Sequence, residues 1–413
     1  MRTILHSDLN NFYASVECVY NPSLKEKPIA VCGDPDARHG IVLAKNMPAK
    51  RAGVITGEAI WQARQKCPEL EVLPPNFKRY MRFSKMMKEI YSDYTGQIEP
   101  FGLDEAWLDV TGHSLSGEQI ADELRRRAKE ELGLTLSVGV SFNKIFAKLG
   151  SDMKKPDATT VISLENYRNK VWPLPAEELL YVGPATKRRL TARNIRTIGD
   201  IARCDVRDMR LALGKNGEML WAFANGYDRS PVMQLGESAM VKSVGNSTTT
   251  PRDIRCDQDA HMVLMVLSES VSERLREQGL QGSVVSISVR DCDLYTFTCR
   301  KKLRQSTSLA SEICACGMAL FRDRYRWEKP IRSMGISVSD LEEQDGDKQL
   351  SMFPDTCRER KYELEETVKD IRQRFGHFSL LRASLIGFRE FGSINPRDDH
   401  VIHPVGWRKD STN

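Results

Sequence analysis

The stretch Phe101-Gly102-Leu103-Asp104-Glu105-Ala106-Trp107-Leu108-Asp109-Val110 sets two adjacent carboxylates between two short apolar runs. It reads as a β-hairpin with acid at its tip. Successive strand residues point to opposite faces, so Asp104 and Glu105 serve one site only where the chain turns or bulges. Like charges disfavour joint ionisation, and a divalent cation would resolve the conflict. A solvated acidic turn is the ordinary alternative. What decides between them is what the rest of the chain brings to the hairpin.

Upstream, Thr3 to Leu9 alternates as a buried strand that ends at Asp8, and Asn10-Asn11 offers an N-cap for an amphipathic helix reaching about Tyr20. Strand-like runs at Pro28 to Cys32 and Gly40 to Lys45, with helical stretches Asn46 to Ala52 and Glu58 to Lys66, make a small inserted subdomain. A long helix from Asn76 to about Tyr94 carries Tyr80, Phe83, Met87, Ile90, Tyr91 and Tyr94 at helical spacing, a core stripe. Downstream come a helix from Ser116 to Leu132, a strand from Thr135 to Val140, and a short helix capped by Ser141-Phe142-Asn143 and running to about Asp152. Alternating strands and helices, with the hairpin beside the first strand, give a small α+β sheet of the split βαβ kind. On adjacent strands of it Asp8, Asp104 and Glu105 could converge, and three carboxylates so placed are a ligand set for two Mg²⁺ ions in phosphoryl transfer.

With 413 residues, 40% of them hydrophobic and 28% charged, the chain has the composition of a globular protein of two to four domains. No apolar run approaches the ~20 residues of a membrane span, and the N-terminus is too soon acidic for a signal peptide, so the expectation is a cytoplasmic protein without membrane contact. Ten cysteines without a Cys-x-x-Cys pair indicate neither a zinc site nor a disulfide framework. Basic and acidic residues balance over residues 1–165, with 22 of each, whereas 166–239 carries 12 against 8 and 240–341 carries 15 against 12. A balanced catalytic part joined to a basic part suits a polyanionic partner.

Three runs carry a family resemblance. Ser7-Asp8-Leu9-Asn10-Asn11-Phe12-Tyr13-Ala14-Ser15-Val16-Glu17 resembles the first motif of the Y-family translesion DNA polymerases, of the bacterial DNA polymerase IV type. Gly102 to Asp109 resembles their second, and Val138-Gly139-Val140-Ser141-Phe142-Asn143-Lys144-Ile145-Phe146-Ala147-Lys148-Leu149 with Met153-Lys154-Lys155-Pro156 is similar to their third. The resemblance implies a multidomain right-hand polymerase: a ferredoxin-like palm (1–10 and 78–165), small fingers (11–77), a helical helix-hairpin-helix thumb (166–233), a linker (234–239) and an α/β little finger (240–341). It implies error-prone, template-directed synthesis without proofreading on primer-template DNA, from deoxynucleoside triphosphates, by a monomer. Asp8, Asp104, Glu105 and the Leu9 carbonyl would hold two Mg²⁺. Phe12, Tyr13, Lys50 and Lys155 would meet the nucleotide, Tyr13 as a steric gate against a 2′-hydroxyl. The sequence departs from the family at the second acidic position of the first motif, which is Asn10, and at the fingers' triphosphate pattern, where Ala44, Met47 and Lys50 stand for threonine, tyrosine and arginine. Lys50 supplies charge but not the bidentate fork of arginine.

Leu179-Leu180-Tyr181-Val182-Gly183-Pro184-Ala185-Thr186-Lys187-Arg188-Arg189-Leu190 reads as helix, tight turn, helix. Backbone N–H groups at Gly183 and Ala185, with Lys187 and the arginines after it, would bind phosphate without reading sequence. In 240–341 the pattern is a sheet with helices on one face, leaving Lys242, Arg290, Arg300, Lys302, Arg304 and Arg332 near a surface for DNA. Residues 342–413 form a linker, a clamp-binding motif and an extension. Gln349-Leu350-Ser351-Met352-Phe353 resembles the peptide by which bacterial polymerases grip the sliding clamp. A helix from Arg358 to Phe375 follows, with Leu364, Val368, Ile371 and Phe375 on one side. His400 and His403 are read as part of a tail. Two other functional classes compete: a nucleotidyl cyclase with a similar palm, and a catalytically weak or inactive relative that binds DNA and the clamp, suggested by Ala44 and Met47.

Overall fold

Residues 2–34, 38, 40–237, 240–344, 356–385, 389–392 and 394 are described by a computed structural model, and they divide into two compact units, 2–33 with 41–237, and the remainder. The first unit begins with β1 (Ile4–Leu9), every residue of which is buried, and α1 (Phe12–Tyr20). Asn11 precedes α1 in a left-handed conformation (φ 51°) and its side chain caps nothing; the sharp corner after Leu9, not an N-cap bond, sets the helix direction. β2 (Ile29–Cys32), β3 (Val42–Lys45), α2 (Met47–Arg51), α3 (Ile60–Lys66) and β4 (Glu71–Leu73) make a separate three-stranded lobe with its own apolar cluster. The three residues of β4 were not anticipated; too short for a periodic signal, they pair parallel to β2.

α4 (Phe77–Ser92) buries Tyr80, Phe83, Met87, Ile90 and Tyr91, the expected stripe. Then β5 (Ile98–Pro100) and β6 (Glu105–Asp109) form the hairpin, and α5 (Gly117–Leu132) starts at a capping box in which Ser116 and Gln119 exchange bonds. β7 (Leu136–Ser141), α6 (Lys144–Met153) and β8 (Thr159–Ile162) complete a sheet of order β5-β6-β1-β7-β8. Without β8 and with 12–73 set aside as an insertion, this is the βαββαβ order of a ferredoxin-like sheet. β8, parallel to β7, is an addition. β1 lies antiparallel between β6 and β7, with Asp8 opposite Glu105 and His6 opposite Trp107. Paired residues share a face. α6 comes so close to β7 that a Cβ on Gly139 would lie 1.9 Å from the Ala147 carbonyl oxygen.

The helical end of this unit comprises α7 (Tyr167–Val171), α8 (Pro184–Thr191), α9 (Ile198–Arg203), α10 (Val206–Leu213) and α11 (Lys215–Ala224). The helix read over Leu179 to Val182 is not formed. A 3-10 turn at Ala176–Glu178 stands before it, and Tyr181 takes a left-handed φ of 72°. Leu179 and Val182 are buried as a linker, so their spacing reflected packing and not helix.

The second unit contains β9 (Ser243–Ile254), α12 (Asp257–Glu277), β10 (Leu280–Asp291), β11 (Thr296–Thr307), α13 (Ala310–Arg324) and β12 (Ile331–Glu343), with strand order β11-β10-β12-β9, all neighbours antiparallel. Burial alternates along the strands, so Val285, Ile287, Val289, Met334, Ile336 and Val338 pack under the two helices. α14 (Thr356–Phe375) and α15 (Arg389–Gly392) belong to this unit. α14 docks by its charged face: the Glu365 carboxylate accepts from the Ala310 N–H at 3.1 Å, capping α13, and Arg276 pairs with both Glu365 and Glu366. Its apolar side is not the docking side, Leu364 and Phe375 being 63% and 73% exposed. Beyond it Leu385, Phe391 and Ile394 enter the core. Gln349, Leu350, Met352, Phe353, His400 and His403 lie outside the described residues. All ten cysteines are free thiols, and no helix among the described residues is long and apolar enough to cross a membrane.

Candidate active site

The carboxylates meet because a turn delivers Asp104 beside a strand pair. Gly102 takes φ 102°, Phe101 to Asp104 bend, and β6 starts at Glu105. The Leu9 N–H donates to the Asp104 carbonyl oxygen at 3.0 Å, tying the end of β1 to the tip of the hairpin. Even-numbered β1 residues face α6. On that face the Lys148 ammonium lies 2.8 Å from Glu105 Oε2 and 3.4 Å from Asp8 Oδ2, and Lys155 lies 2.6 Å from Asp8 Oδ2. Odd-numbered residues face the other way, where the Tyr91 hydroxyl meets Ser7 Oγ at 2.7 Å.

Charge is crowded here. Burial, then the negative charges of Asp8 and Glu105, push the Asp104 carboxyl up to about 7. Burial and Glu105 raise Asp8 as well, outweighing the two lysines. For Lys148 burial opposes the charge, but Glu105, Asp152 and Asp8 together overcome it and raise the ammonium. His6 is buried, its Nδ1 2.8 Å from Ser151 Oγ and its Nε2 3.3 Å from Glu105 Oε2; burial, with Lys148, keeps the ring neutral. Glu105 Oε2 and His6 Nε2 are both buried; the Lys148 ammonium meets Glu105 Oε2, while His6 Nε2 makes no hydrogen bond. An all-oxygen donor set of crowded carboxylates, whose charge the two lysines only partly offset, fits a hard divalent cation.

Tyr13 stands next to this centre. Its ring stacks on Tyr80 at 4.3 Å between centroids and 9° between planes, and Phe12 packs on Tyr80 at 6.2 Å. The Tyr80 hydroxyl donates to Glu17 Oε1 at 2.8 Å, and Arg79 holds the other Glu17 oxygen at 2.8 Å, so the ring under Tyr13 is fixed. Burial and the Asp104 charge push the Tyr13 hydroxyl up to about 12. Asn10 turns its side chain to Ser137, 3.0 Å away, and so joins β1 to β7. Lys50 is exposed on the last turn of α2, forms no ion pair among the described residues, and is not brought onto the carboxylates; Ala44 lies on β3 and Met47 opens α2.

Reading by motif passed over three residues. Lys148, Asp152 and His6 sit within the quoted runs or beside them, yet only three-dimensional packing puts Lys148 on Asp8 and Glu105, His6 beside Glu105, and Asp152 on the two lysines. The i,i+4 spacing of Lys148 and Asp152, followed by Lys155, was the available signal.

Gly183 caps α8 with extended backbone and leaves the N–H groups of its first turn open, while Lys187 pairs with Glu177 at 2.6 Å. In the second unit the strand registers place Gly245, Ser337, Ser286 and Arg300 in one row across the open face, and Ser247, Gly335, Ser288 and Thr298 in the next. Arg300, Lys302 and Arg304 alternate along the edge strand β11, all exposed; Lys242 is exposed just before β9, and Arg332 lies at the irregular start of β12. These basic residues are spread along a face of the second unit.

The impB/mucB/samB family matches residues 7–152, and the C-terminal domain of that family matches residues 241–352. The chain is 49% identical over 397 residues to a DNA polymerase IV of Acetivibrio thermocellus, an alignment covering 95% of this chain and 100% of the relative. It is 36% identical to DNA polymerase IV 1 of Bacillus subtilis, covering 91% of each. Among solved structures, a Y-family DNA polymerase chimera of Dbh and Dpo4 matches 82% of this chain and 99% of its own with a TM-score of 0.72 at 24% identity. A Dbh ternary complex matches 82% and 98% with a TM-score of 0.57.

Proposed function

The chain belongs to the Y family of DNA polymerases, in its DNA polymerase IV branch, and from that premise we propose that its translesion synthesis runs through Asp8, Asp104 and Glu105 as ligands of two Mg²⁺ ions, with the Leu9 carbonyl as a further ligand. The observation that carries this reading is the meeting of Asp8 and Glu105 across one strand pair, with Asp104 pushed up to about 7 by its own burial and their charge. Divalent ions held there supply a lowered pKa for the primer 3′-hydroxyl and neutralise the triphosphate. The chain's own residues do the rest. The buried sheet fixes the carboxylates; Lys155, which here bonds Asp8, would meet the triphosphate. Tyr13, backed by the Tyr80 ring, presents a flat wall to the sugar. Phe12 sets the height of that wall from below.

DNA is held elsewhere on the chain. The first turn of α8 at Gly183 and Ala185, with Lys187, offers backbone N–H groups to phosphate. The Gly/Ser/Thr face edged by Arg300, Lys302 and Arg304, with Lys242 and Arg332, suits a sugar-phosphate track, because small side chains let the backbone approach closely. Lys50 contributes charge to the triphosphate from α2. Gln349, Leu350, Met352 and Phe353 are the clamp-binding peptide, and the enzyme works as a monomer in the cytoplasm, where DNA and clamp are found. The non-catalytic alternative rested on Ala44 and Met47; the polymerase relatives at up to 49% identity over nearly the whole chain favour the active enzyme. A cyclase would leave the second unit without a role.

The test is primer extension with Mg²⁺ on a primed template, comparing deoxy- and ribonucleoside triphosphates in wild type and Tyr13→Ala. Wild type is expected to extend with deoxynucleotides, and the variant to gain ribonucleotide incorporation by about tenfold or more, the order of a lost steric contact. Unchanged sugar discrimination would remove Tyr13 from its role. Cyclic product from ATP or GTP without extension would remove the polymerase reading.

A further inference from the structure

Lys148 holds the position of a cation among the carboxylates. Its side chain is 12% exposed, and its ammonium touches Glu105 Oε2 at 2.8 Å, Asp8 Oδ2 at 3.4 Å and Asp152 Oδ2 at 3.2 Å. Lys155 makes a parallel bridge, 2.6 Å to Asp8 Oδ2 and 2.7 Å to Asp152 Oδ1. Each lysine thus holds a proposed metal ligand with one hand and Asp152 with the other. Among the described residues no three acidic, histidine or cysteine side chains are grouped so as to hold a metal ion. The carboxylates are drawn in around ammonium groups instead.

We propose that Lys148 is an exchangeable counter-cation: it neutralises Asp8 and Glu105 in the metal-free protein, gives them up when divalent ions load, and retires to Asp152. The proposal rests on the reading of Asp8 and Glu105 as metal ligands. An ammonium and a divalent ion compete for the same carboxylate lone pairs, so the lysine has to leave for the ion to be held. A buried lysine stripped of its partner is strongly unfavourable. Asp152, one helical turn away and already in contact, receives it without any movement of α6. Lys148 and Asp152 are therefore positioning residues that act through Asp8 and Glu105, with opposite signs. The charge of Lys148 weakens divalent binding; Asp152 strengthens it by drawing that charge aside. A pair with a merely structural role would shift both variants in the same direction.

Mn²⁺ binding to the full-length protein, without DNA or nucleotide and read by the electron paramagnetic resonance of free Mn²⁺, separates these cases. Lys148→Met is expected to bind about tenfold more tightly than wild type and Asp152→Asn about tenfold more weakly, the scale of one neighbouring charge on a carboxylate site. Lys148→Arg keeps the charge and is expected to stay within about threefold of wild type. Should Lys148→Met fail to fold by circular dichroism, Lys148→Gln replaces it with the same expected sign. Binding by the neutral variant that is no tighter than wild type, or Lys148→Arg binding as tightly as the neutral variant, overturns the proposal. Glu105→Gln tells the two levels apart: unaltered Mn²⁺ affinity there refutes the metal-ligand reading itself, whereas weakened affinity with an inert Lys148→Met refutes the exchange alone.

Discussion

Two sheets of this molecule run through the same order of elements, strand, helix, two strands, helix, strand, and are wired differently. In the first unit the opening strand, β1, is an interior strand between β6 and β7, whereas in the second the opening strand, β9, is an edge. An interior strand has neighbours on both sides, so one side chain at its end can meet groups from two other elements; Asp8 meets Glu105 of β6 and the lysines of and after α6. An edge strand cannot gather groups that way. The charges follow the wiring. Asp8 and Asp104 are raised, by burial first and then by neighbouring carboxylates, Glu105 for Asp8 and Asp8 with Glu105 for Asp104, while in the second unit Asp259 is lowered, first by its bonds to Arg252 at 2.8 and 3.0 Å. The first sheet concentrates carboxylates whose charge its two lysines only partly offset, and the second pairs Asp259 directly with Arg252. A site for cations needs the former, and a face along a polyanion needs a flat, stable surface with its cations at the rim.

The contrast can be broken first at glycines. Gly139→Ala would press a methyl to 1.9 Å from the Ala147 carbonyl and 2.5 Å from the Ser151 nitrogen, backbone atoms that cannot step aside. It is expected to cost about 3 kcal/mol or more in urea denaturation, the upper range for overpacking. Gly335→Ala on the open face would meet Ser288 Oγ at 2.5 Å, which can rotate away, and Ser247 Cβ at 2.8 Å, which moves only with its strand, but no backbone atom nearer than 3.3 Å. Its expected cost is about 1 kcal/mol. Equal losses would mean that the two sheets are equally tightly covered.

A smaller effect sharpens the role of the second sheet. Removing Arg300 and Lys302 together is expected to lower primer-template affinity about tenfold at low salt, and to reduce the slope of log affinity against log salt by about 2, since on the proposed reading each makes one phosphate contact. Fluorescence anisotropy across a salt series reads both quantities. An unchanged slope would take these two residues off the DNA.

A further variant tests the pairing of charges. Asp259→Asn is expected to cost about 1–2 kcal/mol at pH 7, less than a fully buried pair because Arg252 is 44% exposed. The native carboxyl is depressed, so its contribution is present above the ordinary aspartate value near 3.8 and is lost as pH falls through the native one. The difference between wild type and variant in urea midpoint therefore closes at acid pH. A difference that widens there would reverse the sign of the coupling.

Much of the first unit was legible because its helices are amphipathic and its strands end at chemistry-bearing residues: the α4 stripe, the Ser116 cap and the acidic hairpin are all local signals. β4 was too short to register. Leu179 to Val182 misled because apolar residues spaced for burial in an irregular linker imitate a helix. The stripe Leu364, Val368, Ile371 and Phe375 was read correctly as one side of a helix, but periodicity does not reveal that α14 docks through Glu365, Glu366 and Arg372 instead. At the site, the three acids could be picked out by spacing and resemblance. Lys148, Asp152 and His6 could not, because their partners are distant in sequence and reach them only by the register of β1 with β6 and the approach of α6.

The most direct measurement is single-turnover incorporation of one nucleotide by Asp104→Asn in Mg²⁺, with primer-template affinity and melting temperature taken on the same samples. The expected result is a loss of about a thousandfold or more in rate, the scale of removing charge stabilisation from a transition state. DNA affinity should stay within about threefold, because the proposed phosphate contacts are made by other residues. The melting temperature should be unchanged or higher, since one of three crowded like charges is gone. Near-normal incorporation by the variant would contradict the assignment of this carboxylate centre to catalysis.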